Sequence, residues 1–160
     1  MIRHATSRDL KAIAAINRTS FSGNKPKGTA ERWVKSHFEQ GAQYHYVVDV
    51  KNGVVRAFIG WELKGGFARE TPALELEQLA VHEDFRGKGI GQKIVEASFK
   101  KMKTWLTKHQ PEAQSVRVFV WAKDENGYAR KIYTRLCDSI AGERTLYGVK
   151  EVMYVGLHRL

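Results

Sequence analysis

Cysteine is almost absent from this sequence, and long apolar runs are missing altogether. The single cysteine, Cys137, excludes an internal disulfide framework. No apolar run approaches the roughly 20 residues that a membrane-spanning helix needs. The N-terminal segment turns polar at once and has no apolar stretch typical of a signal peptide. We therefore expect a cytoplasmic protein that does not enter a membrane.

Side chains that bind metals are also sparsely placed. The six histidines are scattered along the chain, and none forms an HxH or HExxH pair. Such short spacings are what bring two imidazoles onto one metal ion. We expect no metal site, and we expect Cys137 to be a buried structural thiol rather than a nucleophile.

Acidic residues are outnumbered by basic ones. The chain has 27 Lys and Arg against 17 Asp and Glu, which gives a formal net charge of +10. Such an excess attracts polyanions, whether nucleic acid, an acidic protein or a phosphorylated cofactor. The lysines are spread along the chain, so charge alone does not separate nucleic-acid binding from a solvated basic surface.

The apolar periodicity predicts one α/β domain over residues 1–160. Its element order is β-α-α-β-β-β-α-β-α-β-β, with Asn52-Gly53 as a hairpin turn between the second and third strands. Strands are predicted near residues 2–6, 43–50, 55–63, 74–81, 115–122, 144–147 and 151–157. Helices are predicted near residues 10–21, 29–41, 91–108 and 124–140. We expect a mixed sheet of six to seven strands with helices on both faces, antiparallel in the first half and with parallel crossovers in the second.

The stretch from Leu74 to Lys93 organises the rest of the chain. An alternating apolar strand comes first, a short polar connector follows, and a glycine-rich turn then begins a long amphipathic helix. Backbone N–H groups at a helix start lack intrahelical partners, and glycines let the backbone approach a phosphate closely. The pattern predicts an anion-binding loop. It does not match a P-loop, because Gln92-Lys93 follows Gly91, and it lacks the third glycine of the dinucleotide fingerprint.

Two segments at matching spacing identify a known family. The run Arg86-Gly87-Lys88-Gly89-Ile90-Gly91 resembles the acetyl-CoA motif (R/Q)-x-x-G-x-(G/A) of the GNAT family of N-acetyltransferases. One strand after the long helix, Asn126, Ala129 and Tyr133 resemble the family's N-x-x-A-x-x-x-Y segment. The resemblance is good from Leu74 to about Leu157, and residues 1–73 match in element order alone.

The resemblance implies that acetyl-CoA is a cosubstrate. Its pyrophosphate would bind the backbone N–H groups of the glycine-rich run, and its pantetheine arm would bind Asn126. The same arm would also meet main-chain groups of Leu79, Ala80 and Val81, in a splay between this strand and the next. The residues implied in cofactor binding are Leu79, Ala80, Val81, Arg86, Gly87, Lys88, Gly89, Ile90, Gly91, Asn126 and Tyr133.

The resemblance also implies catalytic roles. Tyr133 would protonate the leaving CoA thiolate, a role that a phenol with a pKa of about 10 can fill. Glu75 and Glu77 are the candidate bases for the amine, and they share one strand face because they lie two residues apart. Each could instead be a solvent-facing strand residue; Glu77 is favoured because it lies nearer the thioester end. Some relatives carry an acid where this chain has Trp121.

The predicted function is acetyl transfer from acetyl-CoA to a primary amine, by direct attack in a ternary complex. The alternatives are a basic module that binds nucleic acid or an acidic partner without catalysis, and a CoA sensor. The acceptor is open between small molecules and proteins, and a homodimer remains possible. Acceptor choice should depend on the N-terminal helices, residues 67–72 and the last strands, where Trp33, Phe38, Tyr44 and Tyr46 either line a pocket or belong to the core.

Overall fold

A computed structural model describes residues 1–23, 25–65 and 69–160 of the chain. Within these residues, a seven-stranded mixed sheet is accompanied by four α-helices, which confirms the predicted α/β fold. The strands are β1 (Ile2–His4), β2 (Tyr44–Lys51), β3 (Val54–Lys64), β4 (Ala73–Val81), β5 (Ser115–Lys123), β6 (Ser139–Leu146) and β7 (Val149–Arg159). The helices are α1 (Leu10–Asn17), α2 (Thr29–Phe38), α3 (Ile90–His109) and α4 (Gly127–Leu136).

The strand order is β1-β2-β3-β4-β5-β7-β6. As predicted, β4 and β5 are parallel, because the crossover through α3 brings the chain back in the same direction. The last strand, β7, lies antiparallel to both β5 and β6 and separates them. The crossover through α4 therefore leads from β5 to β6, an edge strand that runs in the same direction as β5. Strand β7 lies between β5 and β6.

Two tight turns shape the antiparallel pairs. Asn52 (φ 51°) and Gly53 (φ 76°) join β2 to β3, which confirms the predicted hairpin. Tyr147 (φ 49°) and Gly148 (φ 77°) join β6 to β7 with the same pair of positive φ angles. The structure thus has the turn near Gly148 that the two predicted last strands require.

One compact unit comprises residues 1–61 and 78–98. Apolar side chains of α1 and α2 pack with β2 and β3 in its core, among them Ile13, Val34 and Phe58. Trp61 is fully buried, and its indole Nε1 donates a 2.9 Å hydrogen bond to Ser98 Oγ on α3. This bond matters because an unsatisfied buried donor costs about 1–3 kcal/mol.

Asp9 ties β1 to the start of α1 in the same unit. Its carboxylate accepts hydrogen bonds from two nitrogens of Arg3, at 2.7 and 2.9 Å, and from the Thr6 backbone N–H at 2.7 Å. The Arg3 hydrogen bond, which outweighs partial burial, lowers the pKa of Asp9 to about 2.

The second compact unit comprises residues 62–77 and 99–160. β5 and β7 pair along their whole shared length, from Ser115 opposite Arg159 to Lys123 opposite Glu151. His158 Nε2 donates to the Leu136 carbonyl at 2.8 Å, which joins β7 to the end of α4. The domain assignment over residues 1–160 stays a prediction; β3 and β4 run through both units.

The predicted end of the last helix is wrong. α4 ends at Leu136, Cys137 is extended (φ −125°, ψ 141°), and Ile140 lies exposed in β6 rather than on an apolar helix face. The Asp138 N–H donates to the Val155 carbonyl at 3.1 Å. Pairing with β7 thus overrides a helical period that continued past the true end. The buried position of Cys137 confirms the expected structural thiol, and burial raises its pKa to about 12.

Smaller differences lie at the N-terminal helices. α1 follows a 3₁₀ turn and passes into a π-helical turn, Arg18–Ser22, instead of continuing as one α-helix to Phe21. The N-cap of α2 is Gly28 (φ 80°) rather than Thr29. Of the predicted loop over residues 67–72, residues 67 and 68 lie outside the described residues. In the part of the chain that the structure describes, no helix is long and apolar enough to cross a membrane.

Candidate functional site

The glycine-rich turn between β4 and α3 holds two glycines at positive φ, with open space beside them. Gly87 and Gly89 have φ angles of 72° and 71°, a region that residues with a Cβ avoid. A Cβ built on either glycine would meet no heavy atom within 4 Å, so the backbone borders open space. The Lys93 N–H bonds the Gly89 carbonyl at 3.2 Å, and helix geometry leaves the N–H groups before it without intrahelical acceptors. The turn can therefore offer backbone donors to a phosphate.

The two cationic side chains of the loop bind backbone carbonyls in the segment that precedes it. Arg86 Nε donates to the Val81 carbonyl at 3.1 Å, and Lys88 Nζ donates to the Asp84 carbonyl at 2.8 Å. Lys88 Nζ also lies 5.5 Å from the centroid of the Phe85 ring. Both side chains are exposed, so their charges add a positive potential around the loop while the glycines supply its hydrogen-bond donors.

The pairing between β4 and β5 is short. Its register begins at Ala73 opposite Arg117 and reaches Glu75 opposite Phe119. In the second unit, Leu76 and Glu77 continue β4, and β5 continues from Val120 to Lys123. The last paired position is therefore at Glu75, and both strands extend beyond it. Farther along β4, in the first unit, Ala80 is buried while Leu79 and Val81 are partly buried.

Asn126 is the N-cap of α4. Its Oδ1 accepts a 3.1 Å hydrogen bond from the Ala129 backbone N–H. This cap satisfies one of the first N–H groups of the helix and fixes the direction of the side-chain amide. The carbonyl oxygen is thus engaged by the helix, and the NH₂ group is the part of Asn126 that is chemically suited to bind a carbonyl of a ligand.

Tyr133 lies on the buried face of α4 and is 7% exposed. Burial, with a smaller contribution from nearby Cys137, raises the pKa of its phenol well above the usual value of about 10. The ring centroid of Tyr133 is 6.2 Å from that of Tyr154 on β7. The Tyr154 hydroxyl accepts a 2.9 Å hydrogen bond from Arg130 Nε, which holds Tyr154 in place beside Tyr133.

One of the two candidate glutamates, Glu75, has a charged neighbour in Lys64. Glu75 Oε2 lies 3.2 Å from Lys64 Nζ, and the same ammonium lies 2.7 Å from Glu62 Oε2. The side chains of Glu62 and Glu75 are each only 17% exposed. Glu77 is partly buried on the same strand. Glu75 therefore belongs to an ion-paired triad, Glu62–Lys64–Glu75.

The predicted site residues fall into two groups. The glycine loop and residues 79–81 belong to the first unit, while Glu75, Glu77, Asn126 and Tyr133 belong to the second. Sequence reasoning missed Lys64, Arg130 and Tyr154. The spacing of Glu62 and Lys64, which places both on one face of a strand, was a readable signal for the triad.

The comparison with protein families decides the classification. Residues 10–138 match the model of the Acetyltransferase (GNAT) family, which is more than half of the chain. The chain belongs to the GNAT family. This confirms the resemblance seen in the two motifs, and the match begins at residue 10, well before the part of the sequence that carried it.

Relatives of this GNAT protein include an N-alpha-acetyltransferase of Sulfolobus acidocaldarius. It is 31% identical over 108 residues, which cover 64% of this chain and 61% of the relative. The alignment thus spans less than two thirds of the relative's length.

Solved GNAT-like structures share the fold at low identity. The ribosomal-protein-S18-alanine N-acetyltransferase of Escherichia coli has a TM-score of 0.74 and 17% identity, with 100% of this chain and 94% of that chain covered. An aminoglycoside 6'-N-acetyltransferase complexed with coenzyme A has a TM-score of 0.69 and 13% identity, with 98% and 96% covered. At these identities the likeness concerns the fold alone.

The described part of this GNAT chain was also compared with the side-chain clusters that hold metal ions. Across residues 1–23, 25–65 and 69–160, no group of three or more His, Cys, Asp and Glu side chains is arranged to hold a metal ion.

Proposed function

We propose that this protein is an acetyl-CoA-dependent N-acetyltransferase that acts on a primary amine by direct attack in a ternary complex. The observation that carries the proposal is the GNAT family match over residues 10–138, because that range contains both the glycine-rich turn and Tyr133. The conformation of the turn and the burial of Tyr133 give these two parts physically distinct tasks.

The loop fits the anionic part of acetyl-CoA. Two glycines with positive φ border open space at the start of a 20-residue helix, so a pyrophosphate can approach the backbone closely. Arg86 and Lys88 add favourable charge without filling that space. In this proposal the Asn126 amide and main-chain groups of Leu79 and Val81 hold the pantetheine arm.

Acetyl-CoA supplies a thioester whose carbonyl carbon accepts the amine and whose sulfur leaves as a thiolate. Glu77 takes the proton that the acceptor ammonium must lose before its nitrogen can attack. Tyr133 donates a hydrogen bond and then a proton to the sulfur. One C–N bond forms and one C–S bond breaks. The attacking nitrogen loses a second proton to solvent as the adduct collapses, Tyr133 regains its proton from solvent, and Glu77 releases its own, so that each transfer releases one net proton.

The burial of Tyr133 sets the character of this acid. Because its pKa is raised, the phenol is protonated throughout the physiological range, although it is a weaker acid than an exposed tyrosine. A thiolate in the same water-poor surroundings also gains basicity, since burial disfavours its charge. The higher basicity of the thiolate therefore compensates for the weaker acidity of the phenol when the proton is transferred.

Among acceptors, we favour the α-amino group of a peptide or protein. The support is the N-alpha-acetyltransferase relative at 31% identity. The aminoglycoside enzyme contributes less to this choice, because its 13% identity carries only the fold.

The test combines cofactor binding with turnover. Isothermal titration should give saturable binding of acetyl-CoA, and a thiol-release assay should detect CoA when peptides with free N-termini are added. Mass spectrometry should place one added acetyl group at the peptide N-terminus. Binding without release against a broad amine panel would indicate a CoA sensor. Salt-sensitive nucleic-acid binding with no CoA binding would indicate the basic module.

A further inference from the structure

Lys64 lies between two carboxylates, a position that would also attract a cationic acceptor. Its ammonium contacts two carboxylates at once, Glu62 Oε2 at 2.7 Å and Glu75 Oε2 at 3.2 Å. Its own side chain is 39% exposed, so the ammonium is reachable from solvent while both acids are largely covered. The chain has thus placed its own amine between two acids on neighbouring strands.

The triad stands at a defined place in the sheet. Glu75 is the last residue of β4 paired with β5, opposite Phe119, and Glu77 is the next residue on the same strand face. Under the proposed function, a pantetheine arm inserted where the strands part would end near this last pair. The triad would then lie at the end of the arm where the acceptor amine reacts.

Lys64 remains charged in this setting. Partial burial lowers its pKa, but the hydrogen bonds that Lys64 donates to Glu62 and Glu75, with the attraction of both charges, outweigh that effect and raise it. An ammonium held by two acids is a poor nucleophile. It also leaves the triad with one net negative charge in place of two, which weakens the attraction for any second cation.

We propose that Lys64 is a specificity-determining residue. Its ammonium forms ion pairs with Glu62 and Glu75, so these carboxylates are not available to a second ammonium group of an acceptor, and acceptors with more than one ammonium group are disfavoured. The inference rests on the proposed function and narrows it. The favoured acceptor carries one amine, as a peptide N-terminus without nearby lysine does. The disfavoured class is the polyamines, whose second ammonium would need the carboxylates that Lys64 already holds.

The experiment compares two acceptors across matched variants of the full chain. The acceptors are spermidine and a lysine-free tetrapeptide with a free N-terminus. Lys64→Met removes the charge with little loss of side-chain length, and Lys64→Arg keeps it. Lys108→Met, an exposed lysine at the end of α3, is the control for general loss of positive charge. Acetyl-CoA affinity is measured for each variant to show that the cofactor site is unchanged.

We expect Lys64→Met to raise the ratio of kcat/KM for spermidine to kcat/KM for the peptide by about tenfold. The reason is that Glu62 and Glu75 lose their ion pairs with Lys64 and can then attract the second ammonium of spermidine. Lys64→Arg and Lys108→Met should leave this ratio within about twofold of wild type. An unchanged ratio in Lys64→Met overturns the inference. If that variant does not fold, Lys64→Gln replaces it with the same expected result.

The inference and the proposed function can fail separately. Peptide acetylation by the wild type together with an unchanged ratio defeats the inference alone. If the wild type acetylates neither acceptor, the proposed function fails, and spermidine binding is then measured by titration calorimetry. Tighter spermidine binding by Lys64→Met than by wild type still supports the role of Lys64, and equal binding overturns it.

Discussion

The glycine-rich loop and helix α4 hold their candidate site residues in different physical settings. The loop presents backbone at Gly87 and Gly89, both exposed and both at positive φ. Helix α4 presents a buried side chain, Tyr133, in surroundings that change its acidity. The first arrangement depends on conformation, and the second depends on a chemical group and its solvation. Substitutions in the loop should therefore change cofactor affinity, whereas substitutions around Tyr133 should change the rate of the chemical step.

The largest expected effect is that of Tyr133→Phe. Removing one hydroxyl should lower kcat by roughly 10²- to 10³-fold, the usual contribution of a general acid, with little change in acetyl-CoA affinity. Tyr128→Phe on the same helix is the matched control, because Tyr128 is 56% exposed. Steady-state kinetics with saturating acetyl-CoA measures both variants. A kcat equal to that of wild type would remove Tyr133 from the acid role.

The pH profile sharpens the same point. Because burial raises the pKa of Tyr133, the wild-type kcat should show no falling limb from this residue below about pH 10. A phenol with its pKa raised is protonated, and thus competent as an acid, at every pH below the ordinary value. A falling limb near pH 8 that disappears in Tyr133→Phe would contradict the buried environment of the phenol.

The next effect concerns the base. Glu77→Gln should lower kcat by roughly 10²-fold, because the acceptor amine then has no side-chain proton acceptor. Glu75→Gln should cost less than about tenfold, since Glu75 is already held by Lys64. Kinetics from pH 6 to 9 separates the two. The reverse order of effects would move the base to Glu75.

How much of this could be predicted from sequence differs between the two regions. The loop was fully readable, because glycine spacing and a following amphipathic helix encode a local conformation. The motif singles out Tyr133, but it does not predict the raised pKa of its phenol, because burial depends on packing from distant residues such as Tyr154. The α/β fold followed from apolar periodicity, whereas the end of α4 did not, because pairing of Asp138 with Val155 is a long-range contact.

The ion pairs, too, depend on long-range contacts that the sequence does not reveal. Arg3, Asp9, Lys64 and Glu75 are ordinary charged residues in the sequence, and their partners are fixed only when strands and helices meet. Local chemistry predicts which residues can bind or react. Tertiary contacts decide which partner each of them meets, as the pairing of Glu75 with Lys64 shows.

In the loop, a smaller effect is expected from Gly89→Ala. The new Cβ meets no neighbour, so the cost is the positive φ, about 1–2 kcal/mol, together with loss of the open space that a phosphate needs. Acetyl-CoA affinity should fall about tenfold while kcat at saturation changes little. Gly53→Ala is a matched control, since Gly53 has φ 76° and equally open surroundings but lies in the β2–β3 hairpin.

Thermal unfolding measures the stability of Gly89→Ala and Gly53→Ala, and titration calorimetry measures their affinity for acetyl-CoA. Both variants should lose similar stability, and only Gly89→Ala should lose affinity for acetyl-CoA. Equal affinities would show that the loop backbone does not contact the cofactor. That result would shift the binding role from the glycines to Arg86 and Lys88.

The smallest expected effect is at Asn126, where the cap and the proposed ligand contact can be separated. Asn126→Ala removes both, so it should lower the free energy of unfolding by about 1 kcal/mol and weaken acetyl-CoA binding a few-fold. Asn126→Asp keeps an oxygen that accepts from the Ala129 N–H and removes the NH₂ donor. It should retain the stability of wild type and still lose affinity.

Asn126→Ala and Asn126→Asp also test whether Asn126 acts through backbone conformation, as the glycine-rich loop does, or through its side chain, as Tyr133 on α4 does. If Asn126→Asp binds acetyl-CoA as tightly as wild type, the residue acts only through the helix cap, and its contribution is conformational like that of Gly89. If affinity falls while stability holds, Asn126 belongs with Tyr133 as a side chain that meets the cofactor. Denaturation and binding measured on the same samples give the answer, because the two roles change different quantities.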